Sequence, residues 1–166
     1  MPADHFEIRT FKAPGLLSPV AHDLALAAEG FRVHLEGTAL RVLVPLSGLR
    51  VLGKVVAGRV EPISARDAAE IESTMRAKVL RVDVDESAVF TGSVGLDSVS
   101  GQLRLAGRTA PLVVPLRRSG PRVLGDVELV PSRWGIQPYT ALFGALRLQD
   151  RVGIHFDLPW PEPPTG

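Results

Sequence analysis

The side chains that could do chemistry in this chain are four histidines, several acidic pairs and scattered serines. The histidines are His5, His22, His34 and His155. No two of them have the spacing that places two metal ligands on one helix or strand. The chain contains no cysteine, which excludes a thiolate nucleophile, a thiolate metal site and a disulfide. The sequence therefore predicts no metal site and no cofactor.

Motifs for nucleophilic catalysis and for phosphate binding are also missing from the sequence. No Gly-x-Ser-x-Gly elbow occurs, and the glycine-bearing segment 92–95 lacks the lysine and the helix of a phosphate loop. The acidic segment 83–86 could hold a cation, but its composition is more typical of a solvated turn. We therefore expect that the protein is not an enzyme and that it has no catalytic residue.

The composition is aliphatic and nearly neutral. Hydrophobic residues make up 45% of the 166 residues and aromatic residues only 5%, while 19 basic and 18 acidic residues give a net charge of +1. This charge balance argues against nucleic acid or an anionic membrane as a partner. No apolar run is long enough to span a membrane and no secretory pattern opens the sequence. We expect a cytoplasmic protein that is not integral to a membrane, and a homodimer is compatible with the sequence.

Alternation of apolar and polar residues is the main structural pattern. Between Leu146 and Leu158 the apolar residues all fall on even positions and the polar residues, apart from Asp150, on odd positions, which predicts one half-buried strand. Similar patterns predict further strands at 6–11, 22–26, 31–36, 40–46, 87–94, 102–105, 112–116 and 123–129. About eight strands with frequent turns indicate a mainly β chain. We expect one domain over residues 1–158, followed by a proline-rich tail over 159–166.

One segment has helical spacing instead. Ser64 followed by Asp67 resembles a capping box, and apolar residues then recur at helical spacing as far as Val79. These features predict one short α-helix over residues 65–78. The strands and this helix together favour a closed antiparallel barrel or a sandwich. An eight-stranded barrel either fills with its own side chains or holds one small ligand.

The alternation also predicts which side chains face the interior. His22 shares the parity of Leu24 and Leu26, so it is either a core histidine or a polar contact inside a ligand cavity. Asp23 faces the other way, which argues against a catalytic site shared with His22. The other predicted interior residues are Leu24, Leu26, Val42, Val44, Phe90, Leu103, Leu105, Leu112, Val114, Val127, Leu129, Ile154 and Phe156.

Segment 133–144 combines aromatic residues with glycine and proline. It is too interrupted to form a strand and too apolar to form an exposed loop. The segment is therefore either a lid over one end of a barrel or a loop packed into the core. The candidate lid residues are Trp134, Ile136, Tyr139, Leu142 and Phe143.

Four segments of the sequence, in order, resemble the YceI-like family. They are SPVAHDL at 18–24, the helical segment 63–80, VSGQLRLAGRT at 99–109, and 134–152, which contains WGIQPY and ALRLQDRV. The resemblance covers residues 6–158. The chain differs from the family in having Trp134 where phenylalanine is more usual and an alanine-rich strand after Asp23. Many members of the family carry an export signal, and we expect none in this sequence.

The resemblance implies an extended eight-stranded antiparallel lipocalin-like barrel with one short helix around an apolar tunnel. It also implies non-catalytic binding of a polyisoprenoid or a similar long-chain amphiphile. From the resemblance and the alternation we expect the protein to carry or store such a ligand. The alternative is an interaction or structural protein whose barrel is filled by its own side chains.

Overall fold

A computed structural model of the chain describes residues 4–13, 22–141 and 146–161, and most of these residues lie in β-strands. The strands are β1 (His5–Lys12), β2 (Asp23–Ala28), β3 (Arg32–Glu36), β4 (Ala39–Pro45), β5 (Leu49–Val56), β6 (Arg59–Glu61), β7 (Ser87–Val94), β8 (Ser98–Leu105), β9 (Arg108–Pro115), β10 (Arg117–Ser119), β11 (Arg122–Leu129), β12 (Thr140–Ala141) and β13 (Leu146–Pro159). The helical elements are α1 (Ala65–Thr74), a π-helical turn (Met75–Val79) and two 3₁₀ turns (Leu46–Gly48 and Pro131–Trp134).

The strands form two antiparallel sheets. The first has the order β10-β11-β13-β1-β2-β5-β6, with β12 beside β13, and the second has the order β3-β4-β7-β8-β9. The prediction of a mainly β, antiparallel fold with one short helix is therefore confirmed. The described residues contain thirteen strands rather than eight, and their hydrogen bonds form two separate sheets, so the eight-stranded barrel is not confirmed.

Strand β5 was missed by the sequence analysis because a β-bulge interrupts its alternation. Ala25 of β2 pairs with Gly53, whereas the next residue, Leu26, pairs with Val51. Leu52 is thus the extra residue of the bulge, and it is 43% exposed. The short strands β6, β10 and β12 were missed for a different reason, since two or three residues are too few to show a period.

The helix begins where the sequence predicts and ends earlier. The Ser64 hydroxyl oxygen accepts a hydrogen bond from the Asp67 backbone N–H at 3.1 Å, as expected of an N-cap. Helix α1 ends at Thr74, and the predicted remainder forms the π-helical turn, in which the Leu80 N–H donates to the Met75 carbonyl at 2.8 Å. Further along α1, Glu72 Oε1 accepts from the backbone N–H of Val51 at the β5 bulge, at 3.0 Å. This bond ties the helix to the first sheet.

Candidate ligand-binding cavity

A cavity of about 800 Å³ lies between the two sheets and helix α1. Its walls are mainly aliphatic and aromatic side chains, contributed by strands of both sheets. The volume falls within the usual range for small-molecule pockets. The arrangement can therefore take up an elongated apolar molecule.

Most residues that alternation predicts to face the interior lie together on the wall of this cavity. From the first sheet and its flanks these are His22, Leu24, Leu26, Val127, Leu129, Ile154 and Phe156. From the second sheet they are Val42, Val44, Phe90, Leu103, Leu105, Leu112 and Val114. Two candidate lid residues, Ile136 and Tyr139, also line the cavity.

Trp134, predicted as a lid residue, is not on the wall. Its side chain is 1% exposed and belongs to the main hydrophobic cluster with Leu103 and Ile136. The indole Nε1–H donates to the Leu103 carbonyl of β8 at 2.8 Å, which gives this buried donor its acceptor. At Trp134 the segment is therefore a loop packed into the core and not a lid over the cavity. The candidate lid residues Leu142 and Phe143 lie outside the described residues.

Sequence reasoning missed several polar residues on the wall. They are Thr10, Lys54, Asp67, Glu70, Thr74, Gln137, Gln149 and Arg151. Lys54 was missed because it follows the β5 bulge, where parity no longer predicts the direction of a side chain. Asp67 and Glu70 lie among the charged residues of the helical segment, and the helical pattern by itself predicts that such residues face water.

The polar residues of the first sheet gather at one end of the cavity, here called the polar end and defined by Thr10, His22, Lys54 and Gln149. Lys54 pairs with Leu24, and the Leu24 N–H donates to the Thr10 hydroxyl oxygen at 3.3 Å. Gln149 Nε2 donates to the Lys12 carbonyl at 2.9 Å, which places it at the same end of β1. Helix α1 follows β6, which pairs with residues 54–56, so its first turn also begins near this end.

The opposite end of the cavity is apolar and includes Val123, Leu158 and Trp160. The backbone N–H of Trp160 donates to the Pro121 carbonyl at 2.8 Å, which fixes the chain just after β13. The guanidinium of Arg118 lies 4.0 Å from the centre of the Trp160 ring, a cation–π contact. The cavity is therefore polarised along its length, with donors and charges at one end and an aromatic wall at the other.

His22 and Asp23 do not meet in the cavity. His22 lines the polar end and is exposed to solvent, whereas the Asp23 Oδ1 accepts from the backbone N–H of Lys12 at 2.8 Å and is not on the wall. Across the described ranges, no three histidine or acidic side chains are grouped as a metal site would require. No helix in these ranges has the length and apolar character needed to cross a membrane.

These observations define a class of protein: two antiparallel sheets and one short helix around a mainly apolar cavity. No family model matches the chain, and no curated protein sequence matches it.

Several solved structures match the fold of this chain. A polyisoprenoid-binding domain from Saccharophagus degradans, implicated in plant cell wall breakdown, is 12% identical with a TM-score of 0.64, covering 95% of this chain and 94% of that one.

Two further solved structures share this architecture. BcnA from Burkholderia cenocepacia is 13% identical with a TM-score of 0.58, covering 94% of this chain and 96% of that chain. The YceI protein of Campylobacter jejuni is 9% identical with a TM-score of 0.54, covering 82% of this chain and 85% of its own. At these identities the likeness establishes the fold alone: the chain has the fold of the YceI protein and of the polyisoprenoid-binding domain.

Proposed function

We propose that the protein binds one long-chain hydrophobic ligand, such as a polyisoprenoid or a fatty amphiphile, and carries or stores it without chemical change. The observation that carries this proposal is the cavity of about 800 Å³ with mainly aliphatic walls. Transfer of a chain from water into such a cavity contributes about 0.8 kcal/mol for each buried CH₂ group. A chain of ten or more carbons therefore supplies substantial binding energy without directional contacts.

The structural neighbours support the same class of ligand. One neighbour is described as a polyisoprenoid-binding domain, and its fold covers nearly the whole of this chain. We further infer that the two sheets together surround the ligand as a lipocalin-like barrel. The close approach of β9 and β11 supports this inference, because a Cβ added to Gly125 would lie 2.6 Å from the Pro115 carbonyl oxygen.

The competing hypothesis is an interaction or structural protein whose interior is filled by its own side chains. A filled interior predicts no continuous space between the sheets, and the cavity favours the binding hypothesis over it. A cytoplasmic location and a homodimer remain predictions from the sequence.

The experiment is native mass spectrometry of the freshly purified protein, followed by thermal melting with added prenyl and fatty amphiphiles. We expect either a co-purified lipid or a melting temperature that rises with ligand concentration, since a ligand that binds only the folded state stabilises it. If the protein is always free of lipid and no amphiphile raises its melting temperature, the proposal is wrong.

Two adjacent positions on β9 provide a matched pair of variants. Val114 lines the cavity, whereas Val113 faces away from it and is 56% exposed. Val114→Phe occupies space that the ligand needs, so we expect at least about a tenfold loss of affinity, equivalent to about 1.4 kcal/mol. Val113→Phe makes the same substitution on the outer face and should bind as the unmodified protein does. Equal affinities for the two variants would contradict a ligand site in this cavity.

A further inference from the structure

Lys54 is the charged residue that the first sheet contributes to the polar end of the cavity, among Thr10, His22 and Gln149. It lies on β5 directly opposite Leu24 of β2, and paired residues point to the same face of a sheet. Both side chains accordingly line the cavity, with the Thr10 hydroxyl on the next strand beside them. Towards the middle of the sheet, the next pairs of interior residues are entirely apolar, such as Ile8 with Leu26.

The ammonium group of Lys54 has no counterion among the described residues. None of the ion pairs found there includes it, although the side chain is half-buried. Three carboxylates lie near Lys54: Glu61, which is exposed and pairs with it on β6, and Asp67 and Glu70 of helix α1, which line the cavity; none of them is within 4.0 Å of this ammonium. A cation beside apolar walls is stabilised by an anionic group that accepts its hydrogen bonds.

The positions of Asp67 and Glu70 decide which charge dominates at the polar end. Both residues are exposed on the helix, so water and salt screen their charges. Lys54 is half-buried on the sheet, where the lower effective dielectric makes its charge stronger at short range. A head group that enters next to Thr10 therefore meets a positive charge that is less screened than the negative ones.

We propose that the ligand carries an acidic head group, a carboxylate or a phosphate, that binds Lys54, and that its chain extends towards Trp160. The proposal rests on the proposed function and adds the chemical class of the head group. His22, which precedes Leu24 by two residues on the same side, lies at the polar end as a second donor to the head group.

The test compares amphiphiles with the same sixteen-carbon chain and different head groups: hexadecanoic acid, hexadecyl phosphate, hexadecanol and hexadecylamine. Affinity is measured on the full chain at low salt and at one fixed pH for all four compounds. We expect the acid or the phosphate to bind about tenfold more tightly than the alcohol. The two acidic compounds distinguish a carboxylate head group from a phosphate head group.

Three variants connect the preference to Lys54. Lys54→Met should remove the preference for the acidic head groups over the alcohol, and Lys54→Arg should retain it. Lys78→Met is the matched control, because Lys78 is exposed, does not line the cavity and changes the net charge by the same amount. Melting temperatures of the unliganded variants show whether each is folded.

Several outcomes would overturn the proposal. Equal affinities for acid and alcohol, or a preference that persists in Lys54→Met, would show that Lys54 does not select the head group. Tighter binding of the amine would show that Asp67 and Glu70 select it instead. If none of the four compounds binds, the proposed function fails together with this inference, whereas binding of the alcohol alone refutes only the acidic head group.

Discussion

Replacing Trp134 with phenylalanine should destabilise the fold without weakening ligand binding. The indole N–H donates at 2.8 Å to the Leu103 carbonyl, and the side chain is 1% exposed. Loss of this donor leaves a buried carbonyl with one partner fewer, which costs about 1–3 kcal/mol. The smaller ring also leaves a void of a few tens of Å³, which adds about 1 kcal/mol at about 24 cal/mol per Å³. The free energy of unfolding should therefore fall by about 2–4 kcal/mol.

Urea denaturation of the unliganded protein measures this loss, and thermal melting gives an independent value. For a domain of this size, about 3 kcal/mol corresponds to a melting temperature that is lower by roughly 6–12 °C. The chain has two tryptophans, so Trp134→Phe leaves Trp160 as the only one, and Trp160 lines the cavity. The fluorescence of Trp160 should change when an amphiphile binds, and the affinity obtained from this change should equal that of the unmodified protein.

Trp160→Phe is the matched control, because it makes the same substitution at a half-buried position at the apolar end of the cavity. It should cost less stability, and the remaining Trp134 fluorescence should change little on ligand binding. A loss below about 1 kcal/mol for Trp134→Phe, or a large loss of its ligand affinity, would refute the assignment of Trp134 to the core.

Three further substitutions test packing and the helix contacts. Gly101→Ala should lower the free energy of unfolding by about 1–3 kcal/mol, because its Cβ would lie 2.6 Å from the Gly92 Cα on β7; an unchanged urea midpoint would contradict this packing. Glu72→Ala leaves the Val51 N–H without its acceptor and should lower the free energy of unfolding, obtained from thermal melting, by about 1–2 kcal/mol. Glu72→Gln keeps an acceptor and should lower it less. Equal losses for the two variants would argue against the hydrogen bond. Ser64→Ala removes the N-cap acceptor and should lower the free energy of unfolding, measured by urea denaturation, by about 1 kcal/mol. Ser64→Asp provides a new acceptor and should keep most of that stability. If Ser64→Asp is as unstable as Ser64→Ala, the cap is refuted.

Strands with a long alternation of apolar and polar residues could be predicted from the sequence. The alternation from Leu146 to Leu158 predicts a strand, and β13 runs from Leu146 to Pro159. The predicted helix start is also confirmed, since the Ser64 cap is a local interaction between residues three apart. These features depend on neighbouring residues alone, and the sequence displays them directly.

The residues around Lys54 and Trp134 show what local patterns do not contain. The bulge at Leu52 is a shift in the register between β5 and β2. Because the pairing with β2 sets this register, it also sets the face to which the Lys54 side chain points, and β2 is distant from Lys54 in the sequence. Trp134 lies in an apolar segment that fits a lid and a core loop equally well. Only the position of the Leu103 carbonyl, supplied by β8, decided between them.

The sequence by itself determined an aliphatic, cysteine-free, mainly β chain and the parity of most of its strands, because both depend on composition and short-range periodicity. The tertiary structure alone decided that the two sheets stand far enough apart to leave about 800 Å³ between them. It also decided that the polar residues of the wall gather at one end. Alternation specifies which side chains face inward, but the distance between opposing walls depends on how the sheets pack across the chain.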